Sequence, residues 1–599
     1  MVELRLRILI AISMFYLLGF LLPAPAASKQ GQSTVETRRK QLQALFDEQW
    51  EYDMRTHPEA ATRQNDSRYN DRLGDLSPQF LRSDLEERRK FLARYEAIDA
   101  SGFPTQDALS RALKIRGLRQ SIEGAQFKSW EMPVNQRGGP HLSLVELVSV
   151  TPFATLRDYE NYIARLHQVP RVLDQSISNM RQGMQDKLMP PKYLLERVAG
   201  QAQSVADKAD TTSPFAKPIA SFPQGIPAAD QERLRTSVLA AIRDEVIPAY
   251  RKFAAFLRDE YTPRGRTEPG VWSLPDGEAR YRFEVRSMTT TNLTPEQIHE
   301  MGLKQITEIE AEMLALAKKL GYKDLASLND HIKNERQFYA TSGQQLLDLY
   351  TKYARQMEPE LPKLFGRLPK NKLDIVPMDT FRSKDAVPAD YSAGAPDGSR
   401  AGRINVNEWD PEHRLLLNVE AIAYHEGIPG HHLQITIAQE LQALPRFRRS
   451  GGYTAFTEGW ALYAERLGKE VGFYQDPYSE YGRLENEMWR AIRLVVDTGV
   501  HQKHWSRQQM VDLFHRYTAM DEPNIQTEVD RYISWPGQAL AYKLGQMEIL
   551  KLRDQARQKL GDKFDQRSFN DAVIAQGPLP LDVLDEQVSA WIAEQAKGK

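Results

Sequence analysis

The chain has 599 residues, 41% of them hydrophobic, enough to bury large cores. Its 79 basic and 80 acidic side chains leave a formal net charge of -1, so nothing in the overall balance attracts nucleic acid. The absence of cysteine excludes a catalytic thiol, a disulfide framework and a cysteine-linked lipid.

At the start, Arg5 and Arg7 precede an uncharged, mostly apolar run from Ile8 to Leu22, then the small residues Ala24-Pro25-Ala26-Ala27. This is the order of a secretory signal peptide, here residues 1–27, and the run of 15 residues is shorter than the ~20 that span a bilayer. The expected product is exported, periplasmic or extracellular, with no stable membrane insertion after the signal is cleaved.

Helical spacing dominates the rest of the chain. Leu234, Val238, Ile242 and Val246 recur at intervals of four, with Asp230 as a cap and Phe253 and Leu257 continuing beyond Pro248. Thr294, Pro295 and Gln297 spell a capping box for a helix that stops at Gly321. The proline-rich stretches 211–230 and 262–277 read as ordered loops between helical layers. Strand signals are few and short, the clearest at 281–291 and 401–409. The second comes after the turn-rich "ADYSAGAPDGSR" (389–400) and could offer its edge to an extended peptide.

"HEGIPGHHLQ", residues 425–434, carries the most chemistry. Its helix should begin at Asp410-Pro411-Glu412. The familiar zinc pattern H-E-x-x-H sets two imidazoles one turn apart, but here the fourth residue after His425 is Pro429. On a regular helix His431 would lie roughly 240° round from His425, and His432 about 10 Å further along the axis. Neither could then share an ion with His425, because ligand nitrogens sit ~2.1 Å from zinc. Pro429 and Gly430 give a reason for distortion, and looping out two residues would return His431 to the usual place. Taken alone, a histidine pair after Pro-Gly is also consistent with a hydrogen-bonded core cap.

Downstream, "GGYTAFTEGWALYAERLG" (451–468) sets Glu458 among Phe456, Trp460 and Leu462, where an unpaired carboxylate is costly. A metal would satisfy it, giving two nitrogens, one oxygen and an open fourth position, the make-up of a catalytic zinc site. Glu465, two turns on, is a candidate partner for a histidine or for a surface cation. Glu426, next to the first histidine, has the chemistry of a general base.

Further candidates lie near the C-terminus. In "DRYISWPGQALAYKLGQMEIL", Tyr532 or Tyr542 could stabilise an oxyanion, or simply pack. Arg490, Arg493, Asp497 and His501 share one helix face, suited either to a substrate carboxylate or to an internal ion-pair seam. The loop 135–144, "NQRGGPHLSL", is a candidate cleft lining.

"HEGIPGHHLQ", "GGYTAFTEGWALYAERLG", "RLVVDTGVHQKHW", "WPGQALAYKLG" and "RSMTTTNLTPEQIHEMG" together resemble the bacterial domain-of-unknown-function 885 family, exported helical proteins regarded as zinc-dependent peptidases. The arrangement is also similar to helical metallopeptidases of the oligopeptidase and carboxypeptidase Taq kinds. The resemblance implies His425, His431 and Glu458 as ligands of Zn2+, with His432 as the alternative to His431, and Glu426 as base. The expected fold is mainly α, a large two-lobed helical body around a deep cleft with a few short strands near the metal-binding helix. Residues 28–599 would form one unit, with an N-terminal lobe over about 28–277 and a catalytic lobe over about 278–599. The expected function is hydrolysis of a peptide substrate; the alternatives are hydrolysis of another amide or ester, or a non-catalytic periplasmic binding or assembly role.

Overall fold

Helices make up 71% of the computed structural model, which describes residues 34–384 and 386–597. The expected signal peptide lies outside the described residues. Among the described residues no helix is long and apolar enough to cross a membrane.

The first large core is drawn from residues 73–261 and includes Leu173, Tyr250 and Phe253. Leu234, Val238, Ile242 and Val246 are all buried in it, as their spacing predicts. Their helix starts at Ala228 after Pro227, so Asp230 falls in its first turn instead of capping it. It passes Pro248 by means of a π-turn, Ile242–Val246, and ends in another, Leu257–Tyr261, just before Pro263. In each, an N–H reaches back five residues, from Ile247 to Ile242 and from Thr262 to Leu257. The wider turn accommodates a ring that would clash with a regular preceding turn. The proline-rich stretches are ordered, and Phe215, Ile219 and Ile226 from the first of them enter the same core.

Helix α1 (Gly277–Thr289) occupies one segment expected to be a strand. Tyr281 and Val285, one turn apart, pack with Leu494, Leu540 and Leu544, while Phe283 packs at a tilt against Phe127 with ring centroids 5.3 Å apart. A helix buried on two sides imitates the alternation of a strand. Helix α2 (Pro295–Lys319) has the predicted capping box, and Gly321 follows it at φ 90°.

Three strands form one sheet: β1 (Leu373–Pro377), β2 (Ala389–Ser392) and β3 (Gly402–Val406), in the order β1-β3-β2. β3 is the strand expected near 401–409, but it is central, parallel to β1 and antiparallel to β2. Both its edges are therefore taken, and the sheet's outer strands are β1 and β2, the latter built from residues that read as a turn.

Helix α3 (Val419–Glu426) begins later than 410–412. Residues 414–416 are held extended instead, with Ala340 N donating to Arg414 O at 2.9 Å and Leu416 N to Phe338 O at 2.7 Å. After it come α4 (His431–Gln439), α5 (Thr454–Glu470), α6 (Pro477–Gln502), α7 (Glu522–Ser534) and α8 (Leu540–Leu560). α2 packs along α6, and α5 along α8. The α5–α8 crossing depends on two glycines: a Cβ on Gly545 would lie 1.9 Å from Ala455 O, and one on Gly459 2.4 Å from Gly545 Cα. This backbone contact fixes Glu458 on α5 relative to Tyr542 on α8.

Candidate metal centre

The looped-out residues are present. α3 ends at Glu426 and α4 begins at His431, with Gly427-Ile428-Pro429-Gly430 between them. Gly430 N donates to Tyr424 O at 2.9 Å and His432 N to Gly427 O at 3.0 Å, wider loops than a helical turn. A Cβ on Gly430 would lie 2.0 Å from His425 O, so the return path admits only glycine. Trp460 Nε1 donates to Pro429 O at 2.9 Å and ties the loop to α5.

This path brings the His425 and His431 rings to 4.9 Å, nearly perpendicular. Glu458 Oε2 lies 3.3 Å from His431 Nε2 and 3.6 Å from His425 Nε2. One ligand atom from each of the three residues falls within 4.8 Å of the others. His425 Nδ1 bonds Glu465 Oε1 at 2.8 Å. With a carboxylate there, the ring proton sits on Nδ1 and Nε2 offers its lone pair. Burial opposes ionisation of Glu458, but the two imidazoles outweigh it and hold its carboxyl well below the usual range. Even so, Glu458 Oε2 and His431 Nδ1 are buried without a hydrogen-bond partner among the described residues. Two imidazole nitrogens and one under-satisfied carboxylate oxygen turned toward one point fit a divalent cation of the zinc type.

His432 does not join this set. Its Nδ1 pairs with the Tyr391 hydroxyl and its Nε2 with Asn371 O, both at 3.1 Å, and burial lowers its pKa to about 4. With both nitrogens engaged elsewhere, it positions Tyr391 on β2, whose ring stacks 6.4 Å from that of His431. The cluster of possible ligand atoms contains His431 and not His432.

The three residues open on a cavity of about 350 Å³ that Glu426 and Tyr542 also line. Burial raises the Glu426 carboxyl to about 8, with His431 opposing and Glu458 adding to the shift. The Tyr542 ring stacks 6.2 Å from His425, and its hydroxyl accepts from Arg531 Nη2 at 2.8 Å, which leaves its own proton for the cavity. Tyr532 stands outside this site. It is fully buried, its hydroxyl donates to Glu528 Oε2 at 2.5 Å, and it accepts from Trp489 Nε1 and Arg493 Nε, both at 2.9 Å. It has no hydrogen left for an oxyanion.

The arginine stripe divides. Arg490 and Arg493 line the cavity, whereas Asp497 accepts from Tyr281 Oη at 2.6 Å and Gly537 N at 3.1 Å, and His501 bonds Val271 N and Tyr532 O. Of residues 135–144, expected to be a loop, 140–144 open the helix Pro140–Val150, and the part before it reaches the cavity through Arg137. Asp390 and Tyr391 on β2 and Arg531 on α7 also line it, and sequence reasoning missed them. A four-residue strand has too short a period to stand out inside a turn-rich stretch. Arg531, adjacent to Tyr532, was open to notice as a buried cation.

Residues 58–588 match the family model described as "Bacterial protein of unknown function (DUF885)". The chain belongs to this family. This DUF885 protein is similar over 93% of its length to the whole of a solved structure described as "the putative lipoprotein from Colwellia psychrerythraea", at 27% identity and a TM-score of 0.87. A "putative lipoprotein of unknown function from Shewanella oneidensis" shares the fold, at 17% identity and a TM-score of 0.69, over 93% of this chain and 99% of that one. No curated protein matches.

Proposed function

We propose that this DUF885 protein is an exported zinc-dependent peptidase. The observation that carries the reading is the convergence of His425, His431 and the buried, unbonded Oε2 of Glu458 beside the cavity-facing Glu426. His425, His431 and Glu458 hold the ion, and Glu465 fixes the His425 ring from behind. Zinc bound there supplies the Lewis acidity that polarises a scissile carbonyl and acidifies water. Burial alone would keep Glu426 protonated, but a cation held by His425, His431 and Glu458 would favour its carboxylate, which takes the proton of the attacking water and passes it to the leaving amine nitrogen. Tyr542 Oη, which accepts from Arg531 Nη2 and so keeps its own proton free, donates to the carbonyl oxygen as negative charge develops. β2 is an edge strand that lines the cavity through Asp390 and Tyr391, so an extended peptide in the cavity would lie alongside it.

Export is supported by the order of residues 1–27 and by the lipoprotein descriptions of the two similar structures. A cysteine-linked lipid has no acceptor residue in this sequence. The reading therefore places the protein free in the periplasm or outside the cell.

The test combines metal analysis with a mixed peptide library. About one zinc per chain and chelator-sensitive cleavage are expected. Glu426→Gln should keep the zinc and lower kcat by about 10²- to 10⁴-fold. A protein that binds no zinc, or that binds it and cleaves nothing, overturns the reading.

A further inference from the structure

Four arginines line the cavity: Arg137 from its loop, Arg490 and Arg493 from one face of α6, and Arg531 from α7. Arg490, Arg493 and Arg531 are only 4%, 1% and 6% exposed. Buried guanidinium groups are costly unless paired with anions and fully hydrogen-bonded. Here the pairing is incomplete. Glu528 serves two of them, at 2.9 Å from Arg493 Nη2 and 3.3 Å from Arg531 Nη1. Glu465, already bonded to His425, is 3.6 Å from Arg490. Arg490 Nε, Arg493 Nη1 and Arg531 Nε are buried with no hydrogen-bond partner among the described residues. Burial, with repulsion from Arg531, lowers the pKa of Arg137.

The cluster is also held rigid. Arg493 lies 4.6 Å from the Trp489 ring centroid and 4.3 Å from that of Tyr542. Arg531 Nη2 is fixed by Gln538 Oε1 at 2.7 Å and by the Tyr542 hydroxyl. Tyr542 stacks on His425, so a single aromatic ring separates Arg493 and Arg531 from that candidate metal ligand. A pre-set array of cationic donors at that distance suits a planar anion attached to the reacting molecule.

We propose that Arg137, Arg490, Arg493 and Arg531 form a carboxylate-recognition site that anchors the substrate beside the metal centre. The proposal deepens the peptidase reading and rests on it: the carboxylate is either the α-carboxylate at the peptide C-terminus, which makes the enzyme a carboxypeptidase, or an acidic side chain next to the scissile bond. Either one completes the donor set that Glu528 and Glu465 leave open.

Two peptide pairs distinguish the sources: one differing only in a C-terminal carboxylate or carboxamide, the other only in an internal Glu or Gln. Binding is read at equilibrium with zinc-supplemented Glu426→Gln protein, and kcat/KM with the unaltered protein. The carboxamide is expected to bind about 10- to 100-fold more weakly than the free acid, the range of one charge-assisted hydrogen-bonded pair. Arg137→Gln and Arg490→Gln should each remove much of that discrimination, with circular dichroism and melting confirming that Arg137→Gln still folds. Discrimination in the Glu/Gln pair alone assigns the carboxylate to a side chain and still supports the site. Equal binding within both pairs overturns the site even if the peptides are cleaved. Discrimination in binding without cleavage of any peptide leaves the site standing and removes the peptidase reading.

Discussion

Two buried histidine–carboxylate groups flank the Arg490–Arg493 segment of α6, and they differ in how fully they are bonded. At one, His501 Nδ1 accepts from Val271 N at 3.1 Å, its Nε2 donates to Tyr532 O at 3.0 Å, and Asp497 accepts from Tyr281 Oη and Gly537 N. Each imidazole nitrogen and the carboxylate have partners, and together they fix the turn that leads into α8. At the other, His425 is oriented by Glu465, yet Glu458 Oε2 and His431 Nδ1 have no hydrogen bond among the described residues. The same residue types therefore do two jobs. Bonded throughout, they act as structural joints; a buried carboxylate oxygen left unbonded beside two imidazole nitrogens is the arrangement that we propose a cation completes.

The sharpest way to break this contrast is to remove a histidine from each kind of environment. His431→Ala should lose stoichiometric zinc and all chelator-sensitive turnover, whereas His432→Ala, one residue away, should keep zinc; equal loss in both would cancel the assignment. Next in size, Tyr542→Phe should lower kcat by about 10²- to 10³-fold, as expected for an oxyanion donor. Tyr532→Phe should leave kcat within a few-fold and instead cost about 1–3 kcal/mol of stability, because Trp489, Arg493 and Glu528 lose a shared partner. Glu465→Gln should weaken zinc binding by about 10- to 100-fold, read by competition with a chelator, while a merely structural Glu465 would leave affinity unchanged.

Much of the site could be read in the sequence because the conflict was local. A His-Glu run interrupted by Pro-Gly cannot remain a regular helix, and Glu458 sits among residues that must be buried. The choice between His431 and His432 was not legible, since it depends on Tyr391 and Asn371 taking up both nitrogens of His432. Those partners lie 41 and 61 residues upstream and share no pattern with the histidines. The helical character of the fold followed from spacing and capping, as at Thr294–Gln297. The segment 281–291 misled because Phe283 and Tyr281 are buried on opposite sides of α1, a tertiary circumstance that alternation alone cannot separate from a strand. Tyr532 failed as a cleft residue for a related reason: a tyrosine next to a Pro-Gly turn gives no sign of which way its hydroxyl faces.

The smallest expected effect tests the bonded joint itself. Burial lowers His501 to about 3, so the folded protein holds it neutral while the unfolded chain takes up a proton near the ordinary value of 6.5. Its contribution to stability is complete above pH 6.5 and is lost as pH falls, by about 2 kcal/mol between pH 6.5 and 5. Asp497 tilts the other way: burial raises it to about 7, so its contribution is present below pH 3.8 and is lost as pH rises through 7. Over pH 5 to 6.5 the two slopes oppose each other. His501→Gln, which keeps a donor and an acceptor but cannot charge, should expose the slope of Asp497 and make the protein relatively more stable at pH 5 than at pH 7. Asp497→Asn, which keeps an acceptor for Gly537 N and Tyr281 Oη, should expose the slope of His501 and do the reverse. Urea midpoints measured in chelator at both pH values read the difference directly, since titrations elsewhere in the chain are common to all three proteins. Parallel behaviour of the three would mean that neither group is held in its neutral form, and the contrast between a bonded joint and an open metal centre would lose its electrostatic half.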